Sequence, residues 1–234
     1  VQRLRRVQIR VPGGGHFLRP PGRATDVSPS LPTDVILAGV GGQGSLFASR
    51  VLAQAAFHQG VSVRVAETYG VAQRGGAVFS QIRLGYGVSG PLIPRGECRF
   101  LLGLEPIEAL RRARDYLAPG GSVVLNTRIQ LPLETKMAKI RRQPGSELAT
   151  IRDELERLEA GRIVEVDALA LAMEAGGPAT ANVVLLGALS CLPGFPLTGE
   201  AMERGIEAAG GKAYLERNLL SLAKGREHGC RLEN

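Results

Sequence analysis

The sequence predicts an α/β fold. Short apolar runs bounded by glycine and proline alternate, from residue 33 onward, with longer stretches of helical periodicity. A glycine-rich turn, GVGGQG at 39–44, joins the first apolar run to the first helical stretch. The 31 glycines among 234 residues suit a chain with many tight strand-to-helix turns, and 44% hydrophobic residues suffice for an ordinary core. Together these features predict a Rossmann-like wound, mostly parallel sheet with helices on both faces.

Each element follows from local pattern. Val35–Ala38 is the first strand. Leu46–Gln59 is a helix with Phe47, Val51 and Ala55 on one face and Gly60 as its stop. Val61–Ala66 is the second strand, and Ala77–Leu84 alternates as a third, half-exposed one. Arg99–Leu104 is the fourth. Glu105-Pro106 opens a helix striped by Ile107, Leu110 and Leu117, because proline is tolerated at a first helical position. Pro119-Gly120-Gly121 then turns into a fifth strand, Ser122–Asn126. Residues 127–145 lack a pattern. A helix from Ser146 carries Leu148, Ile151, Leu155 and Leu158 at helical spacing and closes at Gly161. Ile163–Val166 is the sixth strand, and Asp167 caps the next helix. Further helices are expected near 180–192, 198–209 and 212–223. Val183–Leu189 is apolar on every side, which demands burial all round, in the core or partly in a subunit interface.

The net charge of +7 does not mark a nucleic-acid surface. Six arginines (Arg3, Arg5, Arg6, Arg10, Arg19, Arg23) face one acid, Asp26, within residues 1–30, so the remainder is close to neutral. Residues 1–30 read as a disordered basic leader, 31–225 as one α/β domain and 226–234 as a C-terminal tail. The longest near-apolar run, Val183–Leu192, is too short to span a bilayer. Cys98, Cys191 and Cys230 lie far apart without a C-x-x-C, which argues against a disulfide framework or a metal cluster built by this chain. A reducing cytoplasm is the expected compartment. His16, His58 and His228 read as surface groups rather than catalysts.

The rule for open α/β sheets places ligands beyond the carboxyl ends of the strands, where 39–44, 67–76 and Asn126 should gather. Gly39 permits a tight turn, Gly41 and Gly42 let another group approach the backbone, and Gly44 allows close helix packing. Amides at the helix start would attract an anion. Glu67, at the end of the second strand, stands where a ribose-binding acid would sit, so an NAD(P) site is one reading and a purely structural turn another. The stretch ETYGVAQRGG, Glu67–Gly76, is unusual there. A helix should begin, yet a loop bearing Gly70, Arg74, Gly75 and Gly76 leads into another strand.

The pair of motifs, Gly39-Val-Gly-Gly-Gln-Gly44 and Ala66-Glu-Thr-Tyr-Gly-Val-Ala-Gln-Arg-Gly-Gly76, resembles the gamma-type domain of 2-oxoacid:ferredoxin oxidoreductases, in particular the indolepyruvate ferredoxin oxidoreductase beta subunits. LEPIEAL at 104–110, PGGSVVLN at 119–126 and NVVLLGAL at 182–189 agree, and the resemblance spans residues 33–223. It implies oxidative decarboxylation of a 2-oxoacid, an arylpyruvate among them, to an acyl-coenzyme A. Thiamine diphosphate and iron–sulfur clusters would reside on a larger alpha subunit, with ferredoxin as the electron acceptor. This chain would not be catalytic alone. Gly39, Gly41, Gly42, Gln43, Gly44, Glu67, Arg74, Gly75 and Gly76 would then face coenzyme A or the partner's active site, with Arg74 suited to a phosphate. A structural Arg74–Glu67 ion pair is the alternative role. A stand-alone NAD(P) oxidoreductase, or an interaction module that has lost its site, are the competing function classes.

Overall fold

The computed structural model describes residues 9–10, 16–18, 32–67, 76–129 and 146–231. Its strands are β1 (Ile9–Arg10), β2 (His16–Leu18), β3 (Thr33–Val40), β4 (Val63–Glu67), β5 (Ala77–Leu84), β6 (Cys98–Gly103), β7 (Leu117–Asn126) and β8 (Arg162–Val166). Its α-helices are α1 (Ser45–Gln59), α2 (Pro106–Tyr116), α3 (Ser146–Arg157), α4 (Ala168–Glu174), α5 (Ala181–Leu189), α6 (Gly199–Ala209) and α7 (Leu215–Arg231).

The strands form one sheet in the order β1-β2-β4-β5-β3-β6-β7-β8. β3, β6, β7 and β8 pair in parallel. β5 is antiparallel to both of its neighbours, β3 and β4. Six of the eight strands therefore run in one direction, with β5 reversed inside the sheet and β2 reversed near its edge.

Side chains alternate across the sheet, as a two-residue period requires. Val35 and Leu37 of β3, Phe100 and Leu102 of β6, and Val164 and Val166 of β8 join the core under α1, α4, α5, α6 and α7. Ile36, Ala38, Leu101, Val123 and Leu125 join a second core under α2 and α3. Helices thus cover both faces, in agreement with the sequence.

Helix boundaries follow expected chemistry. α1 ends at Gly60, left-handed at φ 79°, whose N–H bonds the carbonyls of Ala56 and Phe57. The Glu105 carboxylate caps α2 ahead of Pro106. Asp167 caps α4 through the Ala170 N–H, and Thr198 caps α6 through the Ala201 N–H.

Several expectations are corrected. β5 is an interior strand rather than a half-exposed one, with Ser80, Gln81, Ile82 and Leu84 buried. Its polar side chains are used: Gln81 accepts from the Ile93 N–H at 2.6 Å, and Arg83 bonds Asp34 at 2.8 Å. β7 begins at Leu117 and runs through the Pro-Gly-Gly, with a register shift against β6. From the first thirty residues, β1 and β2 extend the sheet beyond β4, where disorder was expected. α7 continues to Arg231, so the expected tail from 226 is helical over most of its length.

Cys191 and Cys230 are joined in a disulfide, with Cα atoms 5.4 Å apart. Sequence separation hid this pairing; the parallel packing of α5 on α7, with Val184 against Gly225 and Ala188 against Gly229, brings their two C-terminal ends together. α5 itself is enclosed by its own chain, with every residue from Asn182 to Leu189 buried. Its burial all round is met without a subunit interface.

Candidate functional site

The carboxyl ends of β3, β6 and β7 meet at one rim. The buried Gly39, next to the end of β3, lies where a side chain cannot fit, since a Cβ there would lie 2.6 Å from Gln43 Oε1 and 2.9 Å from Leu104 Cβ. Gln43 folds back over this gap. Its Oε1 accepts from the Val40 N–H at 2.9 Å, and its Nε2 donates to the Leu104 carbonyl at 3.3 Å. Asn126, at the end of β7, donates to the same carbonyl at 3.0 Å. One acceptor just past β6 therefore ties together the turn after β3 and the end of β7.

The glycine turn meets Gly76, the last residue of the second glycine-bearing stretch, here. The Gly41 N–H donates to the Gly76 carbonyl at 2.8 Å, which fastens the entry to β5 onto the glycine turn. Gly42 and Gly44 sit at φ 100° and 78°, in the left-handed region that side chains disfavour. Arg74 and Gly75 lie outside the described residues.

α1 starts from this turn with an open end. No side chain among the described residues caps it, and its first turn contains no acid. The peptide dipoles leave partial positive charge there, which favours an anion. Leu46, in that first turn, is 42% exposed. The neighbouring helix ends contrast with it: Glu105 closes α2 and Asp167 closes α4.

Glu67 is half-buried and accepts a hydrogen bond from the Ser49 hydroxyl of α1. The ribose reading assumed that the second strand pairs directly with the first. β5 lies between them, so Glu67 ends a strand one place removed from the glycine turn. That insertion withdraws the geometric reason for a dinucleotide site. The sequence reading missed Ser49, and it assigned no rim role to Asn182, whose Nδ2 donates to the Gly44 carbonyl at 3.0 Å. The available signal was a lone amide near the start of an otherwise apolar helix.

Among the described residues, no three His, Cys, Asp or Glu side chains are grouped at the rim. His58 is exposed at the end of α1, and His228 bonds the Glu165 carbonyl at 2.9 Å. The Cys98 thiol is fully buried near the opposite end of the sheet, and burial pushes its pKa up to about 12. No described helix is long and apolar enough to cross a membrane.

Comparison with known proteins agrees with this architecture. The family described as "Pyruvate ferredoxin/flavodoxin oxidoreductase" matches residues 34–228. The chain is 41% identical over 170 residues to indolepyruvate oxidoreductase subunit IorB of Thermococcus kodakarensis, covering 73% of this chain and 82% of that one. Among solved structures, the gamma subunit of keto/oxoacid ferredoxin oxidoreductase from Geobacter sulfurreducens shares the fold. Its TM-score is 0.61 at 23% identity, covering 85% of this chain and 99% of that one. A 2-oxoglutarate:ferredoxin oxidoreductase from Magnetococcus marinus, solved with 2-oxoglutarate, coenzyme A and succinyl-CoA bound, gives a TM-score of 0.56 at 19% identity, covering 86% of this chain and 31% of that one. The chain therefore belongs to the pyruvate ferredoxin/flavodoxin oxidoreductase family and is a subunit of a 2-oxoacid:ferredoxin oxidoreductase.

Proposed function

We propose that this subunit serves a complex that converts an arylpyruvate, indolepyruvate first among them, to its acyl-coenzyme A. Its glycine rim faces coenzyme A or the mouth of an active site on a larger partner subunit. In such a complex thiamine diphosphate supplies the electron sink that lets the carboxylate leave as carbon dioxide, and iron–sulfur clusters carry the two electrons to ferredoxin.

This chain's own donors do not suit a cluster. Cys191 and Cys230 are bonded to each other, and Cys98 is sealed in the core. Among the described residues no three His, Cys, Asp or Glu side chains are grouped for a metal. The role proposed for this chain is binding and orientation.

The Gly41–Gly76 hydrogen bond carries the reading. It fastens Gly76, the last residue of the second motif, to the glycine turn at the open end of α1, where backbone amides can receive an anionic group such as a phosphate. The relatives' names support an arylpyruvate, and a relative of the same fold has been solved with coenzyme A.

The test uses the assembled complex. Leu46→Glu places a carboxylate beside the α1 amides and should raise the KM for coenzyme A roughly tenfold, about 1.4 kcal/mol, with little change for the arylpyruvate. Arg74→Ala should act in the same direction. Unchanged coenzyme A KM values in both variants, with assembly intact, would end the ligand-facing reading. Co-purification with a larger subunit bearing thiamine diphosphate and iron–sulfur clusters checks the partner assignment.

A further inference from the structure

Asn182 is the second residue of α5, a helix that is apolar from Val183 to Leu189. It is 6% exposed. Its Nδ2 donates to the Gly44 carbonyl, which also accepts the Ala48 N–H at 3.0 Å and so starts the hydrogen-bond ladder of α1. The fit is tight, since a Cβ on Gly44 would lie 2.3 Å from Asn182 Nδ2. The left-handed turn at Gly44 is therefore shaped around this one amide.

The oxygen of the same amide is unusual. Asn182 Oδ1 is buried and has no hydrogen-bond partner among the described residues. Leaving a buried acceptor unpaired costs about 1–3 kcal/mol, and folded proteins keep few such groups. Asparagine oxygens are among the best acceptors for helix-start amides. Here one lies against an uncapped helix start, yet the side chain is turned so that its nitrogen holds Gly44 and its oxygen caps nothing. The arrangement favours an open α1 end over a satisfied one.

We propose that Asn182 is a positioning residue for the anionic co-substrate: it pins Gly44 in the left-handed turn and so keeps the first-turn amides of α1 uncapped and turned to the rim. The inference rests on the reading of the rim as ligand-facing. It adds that a residue 138 positions along the chain, on a different helix, sets the geometry of the turn. Asn182 acts through Gly44 and touches no reacting atom.

Two substitutions in the assembled complex separate this from a purely structural role. Asn182→Ala and Asn182→Asp both remove the bond to Gly44, so both should lower the melting temperature. Only Asp adds negative charge beside the α1 amides. We expect Ala to raise the KM for coenzyme A roughly threefold and Asp roughly tenfold or more, with the arylpyruvate KM unchanged in both. The gap between Ala and Asp should narrow as ionic strength rises. Equal coenzyme A KM values in the two variants and the unaltered complex, or equal shifts for both substrates, overturn the proposal. If Asp fails to assemble, the Ala variant's split between the two substrates decides. If Leu46→Glu raises the coenzyme A KM and neither Asn182 variant does, the rim binds the anion without help from Asn182. If none of the three does, the ligand-facing reading falls and the role of Asn182 falls with it.

Discussion

Glycine does opposite work at the rim and along the seam between α5 and α7. At the rim Gly42 and Gly44 adopt left-handed conformations, and a Cβ on Gly42 would meet nothing within 4 Å. Along the seam the glycines are helical, and what they provide is closeness. A Cβ on Gly225 would lie 1.9 Å from the Val184 carbonyl oxygen, and one on Gly187 would lie 2.3 Å from that of Leu222. Gly225 and Gly229, one helical turn apart, let two backbones touch where side chains would hold them several ångströms apart. The disulfide closes the end of this seam. One region spends glycine on an open, uncapped helix start, the other on a sealed contact. Substitutions should therefore read out as ligand binding in the first and as folding in the second.

The largest expected effect lies in the seam. Gly225→Val must push main chain away from main chain, not from a flexible side-chain end. A loss of about 4 kcal/mol or outright failure to fold is expected, measured by denaturant unfolding. A variant that melts with the unaltered protein would show that the helices are not in backbone contact. Opening the disulfide comes next. The bridge spans 39 residues, and closing a loop of that size in the unfolded chain is worth about 2–4 kcal/mol. Cys230→Ala, or reduction of the unaltered protein, should lower the melting temperature by a matching amount. Coenzyme A kinetics should stay unchanged if rim and seam are independent. The smallest effect on stability belongs to Gly42→Ala. With open space around the new methyl, only the backbone conformation resists it, at about 1 kcal/mol. The coenzyme A KM should nevertheless rise several-fold, and a variant that loses stability alone would erase the contrast between the two regions.

Local pattern carried a large share of this fold. The apolar run before Gly39, the Glu105-Pro106 start of α2, the Asp167 cap and the Gly60 stop all act within a few residues of themselves, so they could be read directly. The wholly apolar helix at 183–189 announced its own burial. Pairing partners were less accessible. Nothing in the alternation of Ala77–Leu84 states that it inserts between β3 and β4 rather than at an edge. Its buried polar residues Ser80 and Gln81, the latter bonded to the Ile93 N–H, gave it the look of a half-exposed strand. Misplacing β5 also made Glu67 look like a ribose ligand. The Cys191–Cys230 pairing was hidden for a similar reason, since only the packing of α5 against α7 brings those ends within bonding distance.

The site divides in the same way. Its glycine turn and second loop were legible as motifs, because a sharp turn and an open helix start need particular residue types at fixed short spacing. The amino-acid sequence alone thus determined the α/β class, most helix ends and the family. Tertiary structure alone decided strand order, the disulfide, the bond from Gly41 to Gly76 and the grip of Asn182 on Gly44. Helix caps and turns depend on neighbours along the chain, whereas strand partners and amide contacts depend on distances that exist only after both cores have closed.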